Sequence, residues 1–324
     1  MDQMDVVAVK KAGVTVIPKS RRRLNEVKRH KALYLLMVPG ILYLILNNYL
    51  PMFGVAIAFQ SYNYTGGFFA SKWIGFKNFE YLFATSDALL ITRNTLLYNA
   101  TFIIVNLILS VAMALLLNEV TQKGAKRFYQ SAILLPYFLS AVIVAYLLYS
   151  FLNPASGFIN KSILEPLGIE PVMWYLETKY WPFILIMVNA WKSAGYGSII
   201  YISAMAGFDV EYYEAATIDG AKKLQQIRYI TIPLLKPVMI VMTILAIGRI
   251  FYSDFGLFYQ LPMQSGALLP VTNVIDTYVY RGLITLGDIG MSSAAGFYQS
   301  IVGFLLVLIT NFVIRRISPD NALF

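Results

Sequence analysis

The sequence predicts an all-α membrane protein of about six transmembrane helices, with an interfacial N-terminal helix and a short helix between the fourth and fifth spans. Three observations predict it. Hydrophobic residues make up 58% of the 324-residue chain and charged residues only 13%, a balance that does not describe a water-facing surface. Six apolar stretches are long enough to cross the hydrocarbon core, which takes about 20 helical residues. They lack the strict alternation and about 10-residue length of barrel strands, so helices are the spanning element. Finally, Lys and Arg concentrate on alternate connections.

In order, the stretches cover residues 33–59, 95–117, 128–152, 180–204, 233–259 and 293–314. Ahead of them, residues 21–31 mix basic side chains with Leu24 and Val27 at a spacing of three, which fits a helix lying in the interface as well as a solvated basic tail. Residues 1–31 are thus read as a basic N-terminal segment and 32–324 as the transmembrane domain. The polar start, the long apolar run after it and the lack of a small-residue cleavage site predict a retained N-terminus rather than a signal peptide. Residues 60–93 are rich in Tyr, Phe and Gly, and Trp73, Phe76 and Phe79 predict an ordered external cap. Residues 153–179 and 261–290, punctuated by Pro and Gly, predict external loops with a short helix each.

Eighteen of the 26 Lys and Arg residues lie in the N-terminal segment, the tail, and the connections from span two to three and span four to five, with Lys236 in the first turn of span five counted in the last of these. Six (Lys72, Lys77, Arg93, Lys161, Lys179 and Arg281) lie in the other connections, and Lys192 and Arg249 fall inside spans. The positive-inside rule then places both termini in the cytoplasm. The net charge of +9 is a topology signal rather than a nucleic-acid footprint. With no Cys and a single histidine, His30, the chain offers neither disulfides nor an imidazole cluster for a transition metal. The Gly-x-x-x-x-Gly-Lys-Ser/Thr phosphate loop does not occur, so the usual ATP cradle is missing and no cofactor is expected in this chain.

The connection over residues 206–232 is polar yet reads as helix. Asp209 can cap its start, Tyr212, Tyr213 and Ala216 give an apolar face, and Gly220 supplies a stop, predicting a helix over about 209–220. Within it stands Glu214-Ala215-Ala216-Thr217-Ile218-Asp219-Gly220-Ala221, followed by Ile230-Thr231-Ile232-Pro233 and Pro237. This resembles the cytoplasmic signature of permease subunits of bacterial binding-protein-dependent ABC importers. Val38-Pro39-Gly40, the run from Tyr49-Leu50-Pro51 to Gln60-Ser61-Tyr62, Ile275-Asp276-Thr277-Tyr278-Val279-Tyr280-Arg281 and the final Ala322-Leu323-Phe324 are similar to the polysaccharide-transport branch of the maltose-type family.

The resemblance implies a multi-pass permease of the bacterial cytoplasmic (inner) membrane that moves oligosaccharide delivered by a solute-binding protein. It pairs with a second homologous permease and two ATPase subunits, which hold the ATP and Mg; no covalent chemistry is expected here. Glu214, Ala215, Ala216, Asp219 and Gly220 would form the ATPase-coupling helix: small side chains to seat in a groove, a carboxylate for a charge-assisted bond, and a glycine for the turn. Pro233 and Pro237 would open the fifth span at its first turn. Ile227 departs from the Phe that many members of the wider family carry, implying a weaker or differently shaped groove contact.

Cations inside spans cost several kcal/mol unless they face protein or water, which makes Lys192 and Arg249 substrate-path candidates or members of buried ion pairs. Asp254 is the nearest acid, yet five residues along one helix put it about 140° from Arg249. Trp191, Tyr196 and Tyr252, with Tyr201 and Tyr259, are of the type that stacks on sugar rings, or they pack helices. Gly195 and Gly197 allow close approach of a helix or a ligand. Two buried cations point to an anionic oligosaccharide such as a uronate fragment. A secondary transporter is the alternative and needs inward carboxylates for ion coupling, which the spans do not offer clearly. An intramembrane enzyme needs a His, Asp or Ser constellation that is also missing.

Overall fold

The computed structural model describes residues 30–317. The expected interfacial helix lies outside the described residues except for its last two positions, as do Ala322-Leu323-Phe324. Two compact units divide between Ala56 and Ile57. Among the described residues five helices are long and apolar enough to cross a membrane, and a bent pair brings the number to six if it counts as one span.

The first span, α1 (Lys31–Phe59), is apolar on all sides, with Leu35, Leu36, Tyr43 and Leu46 among many exposed side chains. Such a helix faces lipid or another protein surface. A wider π turn over Ile45–Tyr49 precedes Pro51, so the ladder has already loosened where proline removes its donor.

In the second unit, Gln60–Ser61 and Lys72–Trp73 form a short antiparallel ladder with Gln60 opposite Trp73. The predicted cap is ordered: Phe59 packs on Trp73, Phe76 and Phe79 with ring centroids 5.3–5.5 Å apart. Buried Asn78, on α2 (Lys77–Ala84), donates to the Ala58 and Gln60 carbonyls at 2.9 and 3.0 Å.

The second span is longer than the apolar stretch that announced it, because α3 (Asp87–Asn118) starts among polar residues whose partners are buried elsewhere in the fold. The third is not continuous. It consists of α4 (Lys123–Phe138) and α5 (Ala141–Leu152), bent by 94°. Pro136 weakens the end of α4, and Ser140 accepts from the Ile143 N–H to start a fresh helix. The fourth span, α6 (Trp181–Met205), packs along α3 and α4. A Cβ at Gly195 would overlap the Ile133 carbonyl of α4, and one at Gly197 the Ser110 side chain of α3, so both glycines serve helix approach.

After α7 (Glu211–Ile218), the fifth span is displaced from its predicted limits of 233–259. Its helix, α8 (Lys223–Ile247), begins ten residues earlier and ends twelve earlier. Pro233 therefore follows a π turn over Ile227–Thr231, and Pro237 lies in the helix interior. Residues 248–254 are unwound, and α9 (Phe255–Gln260) and α10 (Ile275–Arg281) follow before α11 (Ile289–Ile317). The largest core cluster joins Tyr98, Leu148, Trp181, Leu185, Phe258 and Leu268, from four of these helices and a loop.

Candidate functional site

Two places gather polar groups that packing of an apolar bundle does not require. The first is α7 and the start of α8. The Asp209 side chain accepts from the Glu211 N–H at 3.0 Å, and Glu211 and Glu214 stand in the first turn, where carboxylates complement the helix dipole. At the other end the Ala221 N–H reaches the Ala216 carbonyl and the Gly220 N–H reaches that of Thr217. This Schellman cap needs a residue at positive φ, and Gly220 sits at +80°.

The helix has two faces. Tyr213 and Ala216 are half-buried toward the body, whereas Glu214, Ala215 and Asp219 are exposed and Ile218 is 86% exposed. Sequence pattern grouped Ala215 with Ala216 on one small face; in the structure Ala215 is exposed and Ala216 half-buried, about 100° apart around the helix. Gln226, buried on α8, donates to Thr217 Oγ1 at 3.0 Å, and the Tyr213 hydroxyl meets Thr231 Oγ1 at 3.1 Å. Lys223 Nζ lies 3.5 Å from a Glu119 carboxylate oxygen at the end of α3. Between them is a cavity of about 230 Å³ that Ile227 and Tyr213 line, so Ile227 faces the protein's own interior rather than the exposed side of α7.

The second place is a cavity of about 280 Å³ between α3, α6 and α8. Asn99, Asn106 and Ser110 line it from α3, Gly197 and Tyr201 from α6, and Thr243, Arg249 and Tyr252 from α8 and the unwound chain beyond it. Asn106 Nδ2 donates to Asn189 Oδ1 at 2.9 Å, but its buried carbonyl oxygen has no donor among the described residues. Arg249 has no ion-pair partner among the described residues. Arg281, by contrast, donates to Asn273 Oδ1 at 2.6 Å and lies over the Tyr259 ring. Burial lowers its pKa, with Tyr259 acting in the opposite direction.

With this geometry in place the chain can be compared with known proteins. Residues 106–319 match the family described as the inner membrane component of binding-protein-dependent transport systems. The chain belongs to that family. The permease is 35% identical to Protein LplB of Bacillus subtilis over 98% of this chain and 99% of that protein. It is also 35% identical to the B. subtilis polygalacturonan/rhamnogalacturonan transport system permease protein YteP, covering 94% of each. Among solved structures it is similar to a chain of a bacterial ABC transporter involved in the import of the acidic polysaccharide alginate, with TM-score 0.83 and 31% identity over 92% of this chain and 99% of that one. It is thus the membrane-spanning component of an ABC importer and not its ATPase.

Of the residues singled out from sequence, the structure brings Arg249, Tyr252 and Tyr201 together at the central cavity of the permease. Arg249 follows the end of α8 rather than riding within it, so helical spacing to Asp254 does not apply. Asp254 caps α9 by accepting from the Leu257 N–H at 3.0 Å. Lys192 is half-buried in the middle of α6 and does not line the cavity. Tyr196 stacks on Tyr137 at 4.4 Å and 8°. Trp191 lines a separate apolar cavity of about 650 Å³ against α5, and Tyr259 stacks on Phe255.

The sequence reading passed over the polar stripe of α3. Asn94, Thr95, Tyr98 and Asn99 share one face of that helix and bind backbone groups of Pro270, Val271, Asn273, Ile275 and Ile250. Asn106 continues the stripe two turns on. Asn and Thr at spacings of four and seven in an apolar helix were the available signal, because a spanning helix carries amides only where protein or water receives them.

Proposed function

We propose that the permease passes carboxylate-bearing oligosaccharides, fragments of acidic polysaccharide, through the cavity between α3, α6 and α8. The observation that carries this reading is Arg249, which lines the same cavity as Asn99, Asn106, Ser110 and Thr243, is exposed rather than buried as the sequence suggested, and has no carboxylate of the described chain in ion-pair range. A cation placed in that way just beyond the end of a spanning helix is suited to a transient anionic guest, to which it offers a two-pronged charge-assisted contact. Tyr201 and Tyr252 give apolar ring faces for sugar, and the orphaned Asn106 oxygen offers an acceptor for a hydroxyl. The substrates that the relatives are named for, polygalacturonan and alginate, are acidic polysaccharides and support the same class.

In this reading a solute-binding protein delivers the oligosaccharide, as in the solved alginate transporter bound to a periplasmic protein carrying alginate pentasaccharide. A second homologous permease completes the pathway, and two ATPase subunits supply energy from ATP and Mg. The exposed face of α7, with Glu214, Ala215, Asp219 and Ile218, seats in an ATPase groove, and Gly220 turns the chain back to α8. ATPase closure moves α7, and its hydrogen bonds to Gln226 and Thr231 carry that movement into α8, whose far end bears Arg249. Both termini then lie in the cytoplasm. The cavity lining contains no carboxylate among the described residues, which leaves a proton- or sodium-coupled carrier without its coupling group.

ATPase activity of the complete complex in proteoliposomes, with its solute-binding protein, tests the class. Stimulation by oligouronates and not by neutral oligosaccharides of equal length is expected. Stimulation by neutral sugars alone would exclude the acidic substrate, and uptake in the absence of the ATPase subunits would exclude the importer.

A further inference from the structure

The chain beyond Ile247, where the fifth span ends, is unwound over residues 248–254. Backbone that leaves a helix inside a packed protein needs protein or water to replace the hydrogen bonds of the lost helix. Backbone turns satisfy the Arg249, Ile250 and Tyr252 N–H groups, and three side chains from three helices bind the rest of the segment. Asn99 of α3 donates from Nδ2 to the Ile250 carbonyl at 2.8 Å and to Ser253 Oγ at 3.2 Å. Gln299 of α11, 6% exposed, donates from Nε2 to the Phe251 carbonyl at 2.6 Å. Asp276 of α10 accepts from the Ser253 N–H at 2.8 Å with Oδ2 and from the same Gln299 nitrogen at 3.2 Å with Oδ1. The residues so gripped, Ile250 to Ser253, are the ones between and beside Arg249 and Tyr252, which face the cavity.

We propose that Asp276 and Gln299 are positioning residues for substrate recognition: they hold residues 248–254 unwound so that Arg249 and Tyr252 present to the cavity, and through them they set the charge preference of the passage. This rests on the reading of Arg249 given above. Asp276 makes no ion pair among the described residues, so its two oxygens are held by the Ser253 and Gln299 donors alone. The geometry needs an acceptor at both oxygens. An amide at this position, Asp276→Asn, would turn a donor toward a donor, and Gln299 cannot rotate its own amide to compensate because the Phe251 carbonyl uses the same nitrogen. Gln299→Met keeps the side-chain length and removes both donations. A continuous helix would satisfy this backbone without any of the three side chains, so their convergence is specific to the break.

The test is uptake by the complete complex in proteoliposomes, with trigalacturonate and its neutral methyl ester as probes, read as KM and maximal rate for each. One solute-binding protein is used throughout, so a change in preference between variants reports on the permease. Arg249→Gln is expected to lower the preference for the acid about tenfold, the loss of a desolvated charge contact. Asp276→Asn and Gln299→Met are each expected to lower it at least threefold through KM, and Asp276→Asn is expected to add nothing in the Arg249→Gln background, since groups acting through one another are not additive. If Arg249→Gln changes preference while Asp276→Asn and Gln299→Met depress both probes alike, add independently to Arg249→Gln, or both prevent assembly, the role is structural only and the proposal is overturned. If Arg249→Gln leaves the preference of the wild type, it is the reading of Arg249 that fails.

Discussion

Gln226 Nε2 donates to Thr217 Oγ1 at 3.0 Å, joining the buried start of α8 to the last turn of α7. Thr217 in turn donates to the Tyr213 carbonyl at 2.7 Å, and the Tyr213 hydroxyl meets Thr231 at 3.1 Å. The exposed helix is therefore tied to the spanning helix at two points one turn apart, and tilting one displaces the other.

That tie predicts the behaviour of Gln226→Leu and Thr217→Val. Each removes a hydrogen bond worth about 1 kcal/mol net and leaves a polar partner unsatisfied. ATP hydrolysis by the assembled complex should persist while substrate moved per ATP falls several-fold. Unchanged stoichiometry in both variants would mean that movement reaches α8 by another route.

Gly220 provides a second prediction. At φ +80° a branched side chain is strained by roughly 1–3 kcal/mol, whereas Asn tolerates this conformation. Uptake should fall in the order wild type, Gly220→Asn, Gly220→Val, with the membrane subunits still expressed. Equal uptake in all three would dissociate the cap from coupling.

The orientation is directly measurable because the chain contains no Cys. Single cysteines at Ser20 and Ser318 should resist an impermeant thiol reagent in intact cells, and one at Thr65 should react. Labelling of Ser20→Cys from outside would reverse the topology.

Lys192 is half-buried in α6 and stands away from the cavity lining. Lys192→Met should accordingly lower uptake of acidic and neutral probes to the same degree, together with complex yield. A selective loss for the acidic probe, at normal yield, would bring Lys192 onto the path as a second cation.

Much of this molecule is legible in its composition because membrane solvent imposes simple rules. Long apolar runs and the Glu214–Gly220 signature led to the spanning helices and the family, and the family match covers residues 106–319. Hydropathy alone could not show where helices break. The bend at Leu139 depends on Pro136 acting with the Ser140 cap, and the end of α8 at Ile247 depends on Asn99, Asp276 and Gln299, which lie 23 to 154 residues from the groups they bind. The α8 break leaves Arg249 and Tyr252 lining one cavity, whereas Trp191 lines another, Tyr196 stacks on Tyr137 and Asp254 caps α9. Single-residue clues such as an intramembrane cation identified Arg249 and Lys192 equally, and only the arrangement of helices separates them.

The central claim is that Arg249 meets the carboxylate of the substrate in the cavity between α3, α6 and α8. Uptake of trigalacturonate by proteoliposomes carrying the complete complex, compared between wild type and Arg249→Lys, Arg249→Gln and Arg249→Glu, measures it most directly. The account predicts uptake falling in that order, with Lys keeping charge but losing the planar fork and Glu repelling the substrate outright, while ATPase assembly is preserved. Equal trigalacturonate uptake in the wild type and Arg249→Glu would contradict it.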